Sequence, residues 1–317
     1  MSTPQGNRLR RLPLRQLACL LPIAAVSVWA ARHWPIITAG GSRLLSANEY
    51  WLLVAVALTV LGWVAVSFSR QGATLQRLPV LRLFVTQFAA AAANHLLPAG
   101  LGAGAVNLRF LQRCGLSLSR SSAALALHML AAGTGRVVLL LALVALSPHA
   151  LSLDSLMPGA AGPVLVVAGT LVCAVAVLLV AVSPLRGVIR TFVETALSDA
   201  RSVHTRPARA LALWGGALAF PTLQAAGLVA VAMALDVSVP AVHLGIAYLA
   251  GSTLAAVVPT PGGLGSVDAA LVIALVTAGV PIALATSVVL GYRIISVWLP
   301  LVPGALVLGV LVRSKVI

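Results

Sequence analysis

Residues Pro259 to Asp268 interrupt long apolar, helix-like sequence, and they constrain the fold of this chain more than any other stretch. The run reads Pro-Thr-Pro-Gly-Gly-Leu-Gly-Ser-Val-Asp, and its two prolines and three glycines cannot continue an α-helix. Within a bilayer, non-helical backbone is stable only where it is buried in protein or lines a wet cavity. Because broken helices of this kind hold the substrate sites of transporters, the run predicts a functional site.

A second run, Pro98-Ala-Gly-Leu-Gly102, shares the pattern Pro-x-Gly-Leu-Gly with residues 261–265. We interpret the two runs as a pair, each forming a re-entrant hairpin that enters and leaves the membrane on one face. A chance match in a glycine-rich membrane protein is the alternative. The predicted hairpin backbone consists of Pro98, Gly100, Gly102, Pro259, Pro261, Gly262, Gly263 and Gly265.

Composition places these runs in a membrane protein, because 60% of the residues are hydrophobic and only 9% are charged. The formal net charge is +15, yet nearly every positive residue is an Arg at the edge of an apolar segment. That distribution is typical of cytoplasmic loops and argues against a nucleic-acid partner. The sequence has no metal-ligand spacing, nucleophile elbow or phosphate-binding loop, so we predict no cofactor, no metal and no catalytic residue.

Charge also decides between two topologies. Apolar spans lie at about 17–31, 50–68, 121–146, 163–182, 210–235 and 282–312. With both hairpins re-entrant, 17 of the 21 Lys and Arg residues fall on one side, the cytoplasm. A full crossing at Leu83–Leu97 would instead send Arg109 to Arg120 outside. We therefore predict a multi-pass protein of a bacterial-type plasma membrane with cytoplasmic N- and C-termini, its first apolar stretch a retained helix rather than a cleaved signal.

The re-entrant topology makes the two halves inverted copies of each other. Each half reads as an apolar helix, a Pro-Gly break and a longer helix with an Arg inside it. We expect one all-α transmembrane domain over residues 1–317, with a first repeat at about 83–182 and a second at about 241–312.

Arg136 and Arg293 are the two cations inside predicted spans. An Arg at the centre of a span costs about 2.5–3.5 kcal/mol on insertion scales, so each needs a compensating contact. One such contact is an anionic head group in a wet cavity, since a planar guanidinium matches phosphate. The other is a structural pair, for which Asp268 is the obvious partner of Arg293, whereas the sequence offers no other intramembrane acid for Arg136.

Asp268 admits two interpretations as well. In the first turn of a short helix, with Ser266 as N-cap, its carboxylate would complement the helix dipole. Alternatively, burial would raise its pKa and allow it to take up and release a proton during transport.

Asn94 and His95 lie one turn before the first break, where they would satisfy carbonyl groups freed by the break or line the cavity. His128 and Gln224 are single polar residues on apolar helices, a pattern that predicts interhelical hydrogen bonds.

The two motifs together resemble a known family. The first is Asn94-His-Leu-Leu-Pro98 with the glycines and Arg-rich loop that follow; the second is residues 259–268, then Gly279-Val-Pro281, Gly291-Tyr-Arg293 and Trp298-Leu-Pro300. Over roughly Trp51 to Val312 the chain resembles the lysylphosphatidylglycerol synthase transmembrane family, which includes the membrane half of the bacterial enzyme that makes and flips aminoacylated phosphatidylglycerol. The resemblance implies a flippase-like role and two re-entrant hairpins. The resulting candidate substrate contacts are Arg136, Arg293, Asp268, Asn94, His95, Arg109 and Tyr292.

The chain departs from the family pattern at three places. Asp268 stands where the second motif usually has Glu, and Gly104 and Asn107 stand where the first motif usually has an acid and an Arg, with Arg109 displaced. The last two departures weaken a charge-dependent role for the first hairpin. We expect no synthase activity, because the soluble aminoacyl-transfer domain of the two-part enzyme has no counterpart here.

These features predict a lipid flippase-like protein, not an enzyme, that translocates or binds a phospholipid or lipid-linked amphiphile with an anionic head group. The alternative is an integral membrane enzyme or accessory subunit acting on a lipid-linked sugar or an aminoacyl lipid. Membrane lipid is the expected partner. A second copy of the chain or a separate lipid-modifying enzyme is a further candidate partner.

Overall fold

The computed structural model describes residues 43–96, 101–147, 194, 197–255 and 265–313, and within these ranges the regular secondary structure is helical throughout. The helices are α1 (Glu49–Gly72), α2 (Val80–Leu96), α3 (Leu101–Arg113), α4 (Leu118–Leu146), α5 (Pro207–Ala234), α6 (Ala241–Ala255), α7 (Ser266–Thr277), α8 (Ile282–Arg293), a π-helical segment (Ile294–Trp298) and α9 (Leu299–Arg313).

Four helices in the described part of the chain are long and apolar enough to cross a membrane: α1, α4, α5 and the continuous helix Ile282–Val310. Each coincides with a span predicted from the sequence, so the prediction of a polytopic all-α membrane protein is confirmed. The spans predicted near 17–31 and 163–182 lie outside the described residues.

Helices α1 and α5 pack side by side in opposite directions. At one end of the pair, the Asn48 N–H donates to the carbonyl of Ala234 over 2.9 Å. At the other end, Arg209 Nη1 donates to the carbonyl of Gln71 over 2.6 Å. Because one end joins the start of α1 to the end of α5 and the other joins the end of α1 to the start of α5, the two helices are antiparallel.

Glycines bring the two backbones of this pair into direct contact. A Cβ atom added to Gly72 would lie 2.3 Å from the backbone nitrogen of Leu213, and one added to Gly216 would lie 2.5 Å from the carbonyl oxygen of Ala65. Small residues allow this approach between membrane helices, where close packing replaces the hydrophobic effect as the main attraction.

Each predicted break lies between two short helices that pack against each other. Helix α2 packs on α3, and α6 packs on α7, with 17, 13, 15 and 12 residues respectively. All four are shorter than the roughly 20 residues that a helix needs to cross a bilayer. The connecting residues 97–100 and 256–264 lie outside the described residues, and with them Pro98, Gly100, Pro259, Pro261, Gly262 and Gly263.

Gly102 differs from its predicted place in the turn of the first hairpin. It lies in the first turn of α3, where a Cβ atom would come within 2.0 Å of the carbonyl oxygen of Ala93 on α2. The glycine is therefore required for close approach of the two arms and not for a break in the helix. Gly251 does the same in the second hairpin, where a Cβ atom would lie 3.0 Å from the carbonyl oxygen of Ala270.

The two hairpins open at opposite ends of the α1–α5 pair. Gln76, just before α2, donates through Nε2 to the carbonyl of Cys114, just after α3, over 2.7 Å, so the first hairpin begins and ends beside the end of α1. In the second hairpin, α6 begins at Ala241, shortly after α5 ends at Ala234, and α7 runs back along α6 from the contact of Gly251 with Ala270, so this hairpin begins and ends beside the end of α5. Since α1 and α5 are antiparallel, these two open ends face opposite directions.

Packing also crosses between the halves. Helix α2 of the first hairpin packs against α9, whereas α6 of the second hairpin packs against α4. The first hairpin therefore packs on the continuation of the helix that carries Arg293. The second hairpin packs on the helix that carries Arg136.

Candidate functional site

The described end of the second break is organised by Gly265 and Asp268. Gly265 has a φ of 86° and is the N-cap of α7, so the predicted cap at Ser266 is wrong by one residue. A glycine occupies this position without strain because it has no Cβ atom. The Gly265 N–H donates to Asp268 Oδ2 over 3.0 Å, which satisfies one backbone donor that the helix leaves unpaired. The carboxylate also lies at the positive end of the α7 dipole.

The second carboxylate oxygen of Asp268 accepts a hydrogen bond from Arg293 Nε at the end of α8. Of the two contacts that the sequence allowed for Arg293, the structure therefore contains the pair with Asp268. The Arg293 side chain is 11% exposed and that of Asp268 is 24% exposed, so the ion pair lies at the edge of the packed interior. Through its two oxygens, Asp268 links the backbone N–H of Gly265 at the start of α7 to Arg293 at the end of α8.

The helix changes from α-helical to π-helical directly after Arg293. The five residues Ile294–Trp298 form a π-helical segment between α8 and α9. Such segments insert one extra residue into a helical turn and occur often at functional sites. Here the segment begins at the residue that follows the guanidinium-bearing position.

Tyr292 is buried on the core side of the ion pair. Its hydroxyl donates to Gln224 Oε1 on α5 over 2.6 Å and lies 3.3 Å from the hydroxyl of Tyr248 on α6. The two tyrosine rings meet edge to face, with centroids 5.7 Å apart. This confirms the predicted interhelical hydrogen bond of Gln224. The structure gives Tyr292 a role in holding α8 against α5 and α6, and its contact with substrate stays a prediction.

Tyr248 was not among the sequence-predicted site residues. Its position on an apolar helix carries no motif, and only the packing of α6 against α5 brings its hydroxyl to Tyr292. A single tyrosine in an apolar span is a weak signal, because tyrosine is equally common at membrane interfaces.

Arg136 lies within α4, where its side chain is half-buried. Its Nε atom is buried and has no hydrogen-bond partner among the described residues. The preceding Gly135 packs closely on α5, since a Cβ atom there would lie 2.8 Å from the carbonyl oxygen of Ala217. Arg136 is thus held near the α4–α5 contact, and a cavity shared with Arg293 stays a prediction.

The first hairpin contributes fewer of its predicted groups. Asn94 is half-buried on α2, and His95 belongs to the same helix but its side chain lies outside what the structure describes. Arg109 is exposed on α3. Asn107, two residues earlier, is only 2% exposed and donates through Nδ2 to the carbonyl of Ala103 over 2.6 Å.

The helices and their two short hairpins define a polytopic helical membrane protein. The chain belongs to the family of the lysylphosphatidylglycerol synthase TM region, whose family model matches residues 12–304. This match confirms the resemblance drawn from the two motifs. No curated protein matches the chain.

Proposed function

We propose that the protein is a lipid flippase-like carrier that binds a phospholipid, or a lipid-linked amphiphile, with an anionic head group and moves it between leaflets. The observation that carries the proposal is the pair of short hairpins opening at opposite ends of the antiparallel α1–α5 pair. Arms too short to cross the membrane bring helix ends and polar groups to its interior, where transporters bind their substrates.

The repeat predicted at about 83–182 and 241–312 can be extended to include α1 and α5, so that its proposed halves are α1–α4 and α5–α9. Its two leading helices, α1 and α5, pack on each other in opposite directions. In this repeat, the contact of α2 with α9 corresponds to the contact of α6 with α4. The contact of α2 with α3 in the first hairpin corresponds to that of α6 with α7 in the second. An axis in the membrane plane relates halves of this kind, and each half then presents its hairpin to a different leaflet.

In the proposed mechanism, Arg293 exchanges its carboxylate partner for phosphate. With Asp268 in place, the guanidinium is held in a defined orientation at the edge of the core. A lipid phosphate presents two anionic oxygens to the planar guanidinium, as a carboxylate does, and competes for the same donors. The acyl chains stay in the bilayer, while the head group follows the hydrated groove between the hairpins.

Arg136 supplies the second cation on the path. A buried guanidinium nitrogen without a partner is unfavourable, and an anion passing α4 relieves that deficit. With a negative cell interior, outward movement of one negative charge is favoured by about 2.3 kcal/mol per 100 mV. The membrane potential alone would therefore drive an anionic lipid outward.

Reconstitution into liposomes tests the proposal. Fluorescent phosphatidylglycerol in the inner leaflet should reach the outer leaflet within minutes with the wild-type protein, and quenching of outer-leaflet fluorescence measures the rate. Arg293→Ala should slow transfer by about tenfold or more, since it removes a charge-assisted contact. Arg293→Lys should give an intermediate rate because it keeps the charge without the planar fork.

The matched control is Arg77→Gln, which removes an equal charge at an exposed position and should leave the rate unchanged. A wild-type rate equal to that of empty liposomes would exclude the carrier function. Mass spectrometry of the same lipid identifies the alternative, since a covalent change without transfer would indicate an enzyme.

A further inference from the structure

A small cavity between α1, α2, α3 and α4 lies apart from the Asp268–Arg293 pair. Its polar lining consists of Arg70, Thr74, Asn107 and His128, and the remaining lining residues are apolar. The cavity has room for about one water molecule. It lies beside the end of α1, where the first hairpin opens and α5 begins.

Arg70 gives this cavity an unbalanced positive charge. The residue lies in the last turn of α1, inside the helix and not in the loop that follows. Its Nε and Nη1 atoms are buried and have no hydrogen-bond partner among the described residues. No Asp or Glu is among the described residues that line the cavity. A buried guanidinium without an anion is strongly unfavourable, so the site calls for a negative ligand.

Neutral neighbours of Arg70 make hydrogen bonds to other parts of the chain. Ser69 Oγ donates to the carbonyl of Leu213 over 3.1 Å and lies 3.0 Å from His128 Nδ1. Asn107 Nδ2 donates to the carbonyl of Ala103. These bonds hold the walls in place on three helices but leave the Arg70 donors unsatisfied.

We propose that Arg70 and this cavity bind a phosphate group, with one phosphoryl oxygen entering the cavity against Nε and Nη1. The cavity holds one group of about the size of a water molecule, which fits a single oxygen. A guanidinium binds phosphate oxygens through paired N–H donors. The phosphate belongs either to a lipid head group at the membrane surface or to a free anion in solution. This site does not depend on the proposed transport, because it involves neither Arg136 nor Arg293.

The test measures thermal unfolding of the purified full chain in a phosphate-free neutral detergent. Inorganic phosphate is compared with chloride at equal ionic strength, and short-chain phosphatidylglycerol is compared with short-chain diacylglycerol. We expect at least one phosphate compound to raise the unfolding midpoint above its control. A rise with phosphatidylglycerol alone identifies a lipid head group, and a rise with inorganic phosphate alone identifies a free anion.

Two variants connect the effect to the cavity. Arg70→Gln should weaken the apparent affinity by about tenfold or more, whereas Arg77→Gln, at an exposed position seven residues later, should retain the wild-type response. If Arg70→Gln does not fold, Asn107→Asp provides the second test. It places a carboxylate in the same cavity beside Arg70 and should abolish the response to phosphate, although it also removes the hydrogen bond from Asn107 to the carbonyl of Ala103.

Three results would overturn the proposal. They are an unfolding midpoint that neither phosphate compound raises, an undiminished response in Arg70→Gln, and a wild-type response in Asn107→Asp.

Discussion

Asp268 connects two segments of the chain through its two carboxylate oxygens. One oxygen accepts from the Gly265 N–H and the other from Arg293 Nε. The sequence offered this ion pair as one of two contacts for Arg293, because Asp268 is the one acid near the second break and Arg293 the one cation in the helix that follows. It could not predict the cap at Gly265, since Ser266 is the stronger N-cap by residue type alone.

The ion pair should contribute measurably to stability. Asp268→Asn and Arg293→Gln should each lower the free energy of unfolding by about 1.5–3 kcal/mol, the usual worth of a hydrogen bond to a charged group. Thermal unfolding in detergent measures the effect. The double variant should be destabilised by less than the sum of the two, because both single changes remove one interaction.

Asp268→Glu is the matched control, since it keeps the carboxylate with one more methylene, and it should retain most of the stability. Strict additivity in the double variant would contradict a direct contribution of the pair.

Cys114 offers a pH-dependent readout outside the membrane-spanning helices. Burial raises the pKa of its thiol above the ordinary value of 9.0, and the positive charge of Arg82 opposes part of that rise. In a Cys19→Ala/Cys173→Ala background, alkylation should reach half its maximal rate above pH 9.0, because only the thiolate reacts.

Arg82→Gln removes the opposing charge, so the pKa should rise further and alkylation at pH 8 should slow. Arg109→Gln, at an exposed position on α3, is the control and should leave the rate unchanged. Faster alkylation in Arg82→Gln would contradict the assignment.

At the scale of helices, the Pro-Gly runs predicted where the helices of the two hairpins begin and end. They did not predict the role of each glycine. Helices α2 and α7 begin or end within a few residues of the predicted boundaries. Gly102, however, lies inside α3, where the absence of a side chain allows the helix to approach Ala93 on α2. Sequence alone cannot tell a glycine that breaks a helix from one that allows two helices to approach closely. The difference depends on which helix packs against the glycine.

Two neighbouring glycines of α5 provide a controlled test of backbone contact. A Cβ atom at Gly216 would lie 2.5 Å from the carbonyl oxygen of Ala65 and 2.7 Å from the backbone nitrogen of Ser69, whereas one at Gly215 meets nothing within 4 Å. Gly216→Ala should therefore destabilise the protein by about 1–3 kcal/mol through overpacking. Gly215→Ala should be neutral or stabilise by up to about 1 kcal/mol, because Ala favours a helix.

Unfolding midpoints of the two variants measured side by side give the comparison. Equal stabilities would mean that α1 and α5 are further apart than the structure places them.

At the scale of the whole molecule, each hairpin begins beside a different end of the antiparallel α1–α5 pair. Charge counting predicted opposite hairpins from the distribution of Arg residues. The pairing of α1 with α5 could not be predicted, because it depends on glycine contacts between helices more than 130 residues apart in the chain.

Cysteine labelling tests this orientation. In a background without the three natural cysteines, Arg77→Cys lies between α1 and α2, and Ser238→Cys lies between α5 and α6; both positions are exposed. A membrane-impermeant maleimide added to intact cells should label Ser238→Cys, whereas Arg77→Cys should react only after permeabilisation. Labelling of both from one face would exclude an inverted arrangement.

The glycine contacts of α1 with α5 also restrict how the molecule moves. Backbone atoms touch at Gly72 and Gly216, where α1 ends and α5 begins, and the Asn48–Ala234 hydrogen bond joins the two backbones at the other end, so sliding of one helix along the other would break these contacts. We therefore expect α1 and α5 to move together as one rigid unit. In the proposed carrier function, movement is therefore expected in the short helices packed beside the pair and not within the pair itself.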